Sequence, residues 1–338
     1  MQTETIDRTK KAARTPEPEP DLRPYLWTVA VVWALMVAAG IWYSRMKGIA
    51  AGIAIPIIAA FLIELPLYLA PLFEGARAAA RRMAPWKLGV ALSLTAVLPY
   101  LAYTVPTGLF SGFDLYRLAG LAVSLSFWYL VLPPAIWSDM LFLAGPAAVM
   151  ISRVFKQIYP SPLPHVPLDI LGKLMLIHVA ACAVLMIRDL KGVKPGLIPT
   201  RREAWIGNLA FLAFLPVGFA LAWLLHVRVR PAPFPLWYGV PLFLGSFVIV
   251  SFSEEFAFRG ILQQHLQRML GLWPGLVVAS ALFGLSHLNF GTFPNWHLVI
   301  LAGASGLFNG WAYQTTGSIR ASMLTHALTA VVWSIWLR

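Results

Sequence analysis

The chain has 338 residues, 59% of them apolar and 12% charged, with a formal net charge of +12 and a mean hydropathy of +0.72. An ordinary soluble domain carries about 25% charged residues, so this composition excludes a soluble helical bundle, whose helices would need polar outer faces. It also argues against nucleic acid as the partner of the positive charge, because the basic residues sit between apolar runs and form no patch with interleaved aromatics.

Residues 1–24 are polar and include TPEPEP, which predicts a disordered cytoplasmic tail. The first apolar run starts only after them and lacks a convincing A-x-A site, so a cleaved signal peptide is not expected. Apolar runs then predict spans at 25–46, 48–73, 88–111, 118–135, 137–155 and 173–187, followed by 207–226, 238–258, 275–290, 297–316 and 319–337. That is an all-α polytopic membrane protein of about 10–11 transmembrane helices. Glu64, in FLIELPLYL, either lines a proton or substrate path or lies against a polar group of another helix. His178, in LMLIHVAA, reads as a hydrogen-bonded packing residue. The single cysteine, Cys182, gives neither a disulfide framework nor a Cys-rich zinc site within one chain, and reads as an inert core thiol.

The basic stretch RDLKGVKPGLIPTRREA (188–204) marks a boundary. The expected organisation is an N-terminal transmembrane bundle at 25–187, a basic cytoplasmic loop at 188–206 and a working core at 207–338. Alternate connections on the side of the N-terminus carry the larger share of the 26 Lys and Arg residues. The positive-inside rule then puts the N-terminus inside, in a cytoplasmic (inner) membrane. The 14 tryptophans read as interfacial anchors rather than a cofactor box.

Residues 238–252 (YGVPLFLGSFVIVSF) contain no charge, yet Glu254, Glu255 and Arg259 follow at once in SFSEEFAFRG. An acidic side chain at mid-bilayer costs about 2.5–3.5 kcal/mol on insertion scales, so a pair needs a reason. On a helix Glu255 and Arg259 are i, i+4 neighbours and can pair, while Glu254 points about 100° away. One carboxylate therefore has a built-in counter-ion, and the other is left to act as a general base. Two partners follow: His287, four residues after Phe283 on the next span, and His326 in the last span. Helices adjacent in sequence tend to pack together, so Glu254, His287 and His326 are expected to converge on one polar cavity. His265 and Arg268 are expected to face the cytoplasmic interface, and His297, in FPNWH, a solvated outside turn.

The motifs Glu254-Glu255-Phe-Ala-Phe-Arg259, Phe283-Gly-Leu-Ser-His287 and His326-Ala-Leu-Thr-Ala330, in that order, resemble those of the CAAX prenyl protease and bacteriocin-processing (CPBP, or Abi) intramembrane proteases. The resemblance covers roughly residues 240–335. It implies a C-terminal CPBP-like protease core that cuts a membrane-associated, lipidated or C-terminally anchored protein or peptide. In that reading Glu254 and His287 activate a water, His326 helps stabilise the oxyanion, and Glu255 with Arg259 holds the geometry, supported by Phe283. The chain departs from the family where the last motif ends in Asn, since Ala330 cannot donate a hydrogen bond. Asn309, Thr329 or the indole of Trp333 are the candidate substitutes. Glu254, His287 and His326 are also the residues a zinc ion would use, but HExxH is absent, and no cofactor is expected. The alternatives are a membrane transporter, for which no convincing repeat is visible, and a non-catalytic scaffold derived from the protease fold.

Overall fold

A computed structural model describes residues 19–163, 166–227, 236–291 and 293–336. Residues 1–18 of the expected tail lie outside the described residues. Helix α1 (Arg23–Lys47) starts with Pro24 in its first turn and stops at Gly48, whose φ of 64° ends it in the left-handed region. Helix α2 (Ala51–Leu69) carries Pro56 and Pro66 in its interior. Pro66 has no N–H to offer the Leu62 carbonyl one turn earlier. The indole Nε1 of Trp33 on α1 donates to that carbonyl instead, at 2.8 Å, and the Tyr25 hydroxyl donates to the Pro66 carbonyl at 3.1 Å. Two helices of almost pure hydrocarbon are thus joined where Pro66 frees a backbone acceptor.

Helix α3 (Glu74–Arg81) is short and polar, with Glu74 paired to both Arg77 and Arg81. Helices α4 (Pro85–Thr104), α5 (Gly112–Val131), α6 (Ile136–Ser152) and α7 (Phe155–Ile158) follow. Helix α8 (Asp169–Cys182), continued by a π-helical turn at Ala183–Ile187, is the axis of this half. Of its membrane-length window 78% is buried within the protein, against 6% for α1. A helix apolar on every side either faces lipid or is enclosed, and α8 is the enclosed one.

Helix α9 (Arg201–Leu224) opens with a capping box in which Thr200 and Glu203 bond each other's backbone N–H. The helix therefore begins inside the stretch expected to be loop up to residue 206. Glu203 also accepts from Arg320 at 2.8 Å, tying α9 to the last helix. Helix α10 spans Gly239–Leu270 and is π-helical at Ser246–Ser251 and Phe256–Gln263. Helices α11 (Leu272–Leu285), α12 (Trp296–Thr316) and α13 (Ile319–Trp336) complete the order. No strand occurs among the described residues.

All eleven expected spans fall on helices, but among the described residues only six are both long and apolar enough to cross a membrane: α1, α2 with its terminal turn, α4, α8 with its π turn, α9 and α10. Helices α6, α11 and α13 are apolar but shorter, so the expected count of 10–11 is not reached by length and composition. The protein is an integral, multi-pass helical membrane protein.

Candidate active site

Helix α10 brings the two adjacent glutamates to different environments. Glu255 is fully buried and accepts from three directions. Arg259 Nε donates to its Oε2 at 3.0 Å, while Asn309 Nδ2 and His326 Nδ1 both donate to Oε1, at 3.0 and 2.8 Å. The Arg259 guanidinium is also fully buried, lying over the Phe283 ring with its carbon 5.1 Å from the centroid. Glu255 is thus a junction at which α10, α12 and α13 meet.

Glu254 makes no such bonds. Its side chain retains 30% exposure but Oε2 is buried, standing 3.9 Å from His287 Nε2 and 3.8 Å from His326 Nε2, beyond direct hydrogen bonding. Both imidazoles turn the same nitrogen to the same oxygen because their other nitrogens are committed. His287 Nδ1 donates to the Phe283 carbonyl at 2.9 Å, and His326 Nδ1 donates to Glu255. Those bonds assign the proton to Nδ1 in each neutral ring and leave Nε2 facing Glu254. His287 sits in the turn that ends α11, two residues past the helix, and keeps 21% side-chain exposure. The Phe283 ring is the wall between these groups, edge-on to His287 at 4.9 Å and to His326 at 5.7 Å.

This convergence requires helices without bulk between them. A Cβ on Gly284 would lie 2.5 Å from the Val299 carbonyl oxygen and 3.0 Å from the Gly303 backbone, so α11 and α12 touch backbone to backbone. A Cβ on Gly310 would strike Leu276 at 2.3 Å and Gln263 at 2.6 Å, and Gln263 instead donates to the Gly310 carbonyl. With α12 that close to α10, Asn309, the residue before Gly310, reaches Glu255.

Glu254, His287 and His326, with Glu255, Arg259, Phe283 and Asn309, therefore lie in one cluster. Of the three substitutes considered for Ala330, only Asn309 is in it. The Thr329 hydroxyl is spent on the Thr325 carbonyl at 2.9 Å, and Trp333 packs beside Ala222 of α9 and Leu301 of α12, two turns along α13 from His326. Asn309 supports Glu255 with one of the two N–H groups of its Nδ2. For zinc the arrangement does not fit as it stands. Two ligands about 2.0–2.1 Å from a tetrahedral ion lie about 3.4 Å apart, less than the 3.8 and 3.9 Å here. Among the described residues no group of three or more His, Cys, Asp or Glu side chains is arranged to hold a metal ion.

Two other ionisable groups behave differently from expectation. His265 does not face the cytoplasmic interface: it is 1% exposed and its Nε2 lies 2.8 Å from Asp139 Oδ2 on α6. Arg188 donates to both oxygens of the same carboxylate, at 3.3 and 3.4 Å. The sequence offered no periodic signal linking three residues so far apart. His297 is exposed as expected, but in the first turn of α12 rather than in a loop, and Arg268 is exposed. Glu64 takes the second of its two readings. It is buried beside His178, 2.6 Å from Nδ1, on α2 and α8 respectively.

Comparison with known proteins bears on the same region. Residues 235–332 match the family described as Type II CAAX prenyl endopeptidase Rce1-like. Over 100 residues, 30% of this chain, the protein is 29% identical to the uncharacterized protein YpbD of Bacillus subtilis (strain 168), and the match spans 48% of that relative. The chain thus spans about half the length of the curated relative it matches. No solved structure matches. Every residue of the cluster lies within 235–332, the segment that is similar to the Rce1-like family, in line with the motif resemblance.

Proposed function

We propose that the protein is a glutamic-type intramembrane endopeptidase in which Glu254 and His287 activate a water against a scissile carbonyl. The observation that carries this reading is the pair of gaps at the Glu254 carboxylate. Separations of 3.8 and 3.9 Å are too long for direct bonds, and a water bridges each with a bond of about 2.8 Å. Glu254 accepts one proton of that water and the His287 Nε2 lone pair accepts a bond from the other. The oxygen attacks the carbonyl carbon, and Glu254 passes its proton to the leaving amine. His326, held by the buried Glu255 carboxylate through Nδ1, acts as the doubly protonated imidazolium and donates from Nε2 to the oxyanion. Glu255, Arg259 and Asn309 touch no reacting atom and fix the imidazole.

The substrate class is a membrane protein or a lipidated or C-terminally anchored peptide, reached from the bilayer. The N-terminus is placed inside, in the cytoplasmic membrane, and the basic connection before α9 on the same side. No metal takes part in these steps, and activity is expected to survive strong chelation.

Glu254→Ala and His287→Ala are each expected to abolish cleavage. The decisive experiment compares membrane-protein termini in cells carrying the intact gene and the Glu254→Ala variant. A terminus lost only in the variant identifies both activity and substrate. Full processing by both alanine variants refutes the assignment.

A further inference from the structure

We infer that Tyr68, on α2 and outside the family-matched segment, is a positioning residue that sets the direction of Glu254; this rests on the peptidase reading of the site. Tyr68 is 1% exposed, and its hydroxyl donates to the Val248 carbonyl of α10 at 2.7 Å, across 180 positions of sequence. Its ring stands edge-on to Phe252, with centroids 6.0 Å apart. Both contacts fall on the approach to Glu254.

Val248 lies inside the π-helical turn Ser246–Ser251, four residues before Phe252, where the α-helical turn Phe252–Glu255 begins. In an α-helix the Phe252 N–H would bond the Val248 carbonyl; here it bonds the Ile249 carbonyl. A π turn accommodates one extra residue, so its presence rotates everything after it by about 100° relative to an uninterrupted α-helix. That angle separates Glu254 from Glu255. If α10 relaxed to regular α-helix before residue 252, the residue facing the histidines would change.

The π turn leaves its ladder irregular, and a hydroxyl from a neighbouring helix supplies a partner for the carbonyl concerned. Tyr68 is held for that purpose from both sides. On one side, the Leu62 carbonyl freed by Pro66 fastens α2 to α1 through Trp33. On the other, Glu64 and His178, both fully buried, fasten α2 to α8. The N-terminal bundle thereby contributes a group that maintains the register of the catalytic helix.

The test uses the purified full-length chain in detergent with Cys182→Ala, Glu254→Cys and His287→Cys, cross-linked by the short bifunctional reagent 1,2-ethanediyl bis-methanethiosulfonate. Adding Tyr68→Phe, which keeps the ring and removes the hydroxyl, is expected to slow cross-linking about 2- to 10-fold, the range for loss of one hydrogen bond. Tyr25→Phe is the control: it removes a tyrosine–carbonyl bond from the same helix without touching α10, and is expected to leave the rate unchanged. In the chain with Cys182, Glu254 and His287 intact, Tyr68→Phe is expected to lower kcat by a similar factor at unchanged KM. A Tyr68→Phe cross-linking rate equal to the unsubstituted or Tyr25→Phe rate overturns the inference, whatever happens to kcat. Because cross-linking needs no substrate, absence of peptidase activity would count against the site reading and leave the test of Tyr68 standing.

Discussion

Replacing the two adjacent glutamates separately by alanine should give opposite phenotypes. Glu255 accepts from Arg259, Asn309 and His326, and both it and Arg259 are fully buried. Removing the carboxylate leaves a guanidinium without its counter-charge and two more donors without their acceptor. Breaking a buried pair from one side costs about 3–5 kcal/mol. The neighbouring bonds belong to the same network and are not added separately. The Glu254 side chain is 30% exposed and its buried Oε2 accepts no direct hydrogen bond that would be lost, so its removal should shift stability by no more than about 0.5 kcal/mol. At about 2–4 °C per kcal/mol for a chain of moderate size, Glu255→Ala should lower the apparent melting temperature on the order of 10 °C. Glu254→Ala should melt within about 2 °C of the parent and yet be inactive. The assay is thermal unfolding in detergent followed by fluorescence-detected gel filtration, compared at one heating rate because unfolding of such chains is commonly irreversible. Equal destabilisation by the two alanines, or a stable Glu255→Ala protein, would refute the division into a structural and a reacting carboxylate.

Asn309→Leu is expected to cost about 1–3 kcal/mol by leaving a Glu255 oxygen with one donor fewer. Asn309→Asp should be worse, since it sets a second carboxylate beside Glu255; melting and turnover of the two variants decide this. Asp139→Ala removes the acceptor shared by His265 and Arg188. It should destabilise the chain by about 3 kcal/mol or more, read as earlier melting and faster proteolysis at the 188–200 connection. Glu64→Gln should keep cleavage activity while lowering thermal stability, because the Glu64–His178 pair joins α2 to α8 away from the reacting groups. Loss of activity at unchanged stability would instead give Glu64 a place in a proton path.

The rivals differ from the peptidase in what these side chains must do. A proton-coupled carrier would show substrate-stimulated proton flux, and a scaffold would keep its function after Glu254→Ala. Ala330 remains the strongest argument for a scaffold. Against it, Asn309 enters the cluster with one Nδ2 proton on Glu255 and a second proton left to donate.

Composition and periodicity were enough for the helical membrane class, because a bilayer demands long apolar segments with internally bonded backbones. The i, i+4 spacing of Glu255 and Arg259 likewise dictated their pairing, since helix geometry alone brings them together. The resemblance of three motifs singled out Glu254, His287 and His326. Sequence did not dictate which contacts run between helices. His265 reads as an interfacial residue by position, yet α6 and the Arg188 corner enclose it with Asp139. Thr329 and Trp333 share the helix face of His326 but stand one and two turns further along α13, where Trp333 packs with Ala222 and Leu301, while Asn309 arrives from another helix through a glycine seam. The register of α10 was equally hidden, because a π turn inserts one residue without altering the apolar pattern that marks a span. Local spacing is fixed by the chain itself; the meeting of distant side chains is fixed by the distance and rotation at which helices pack, and only the folded bundle sets those.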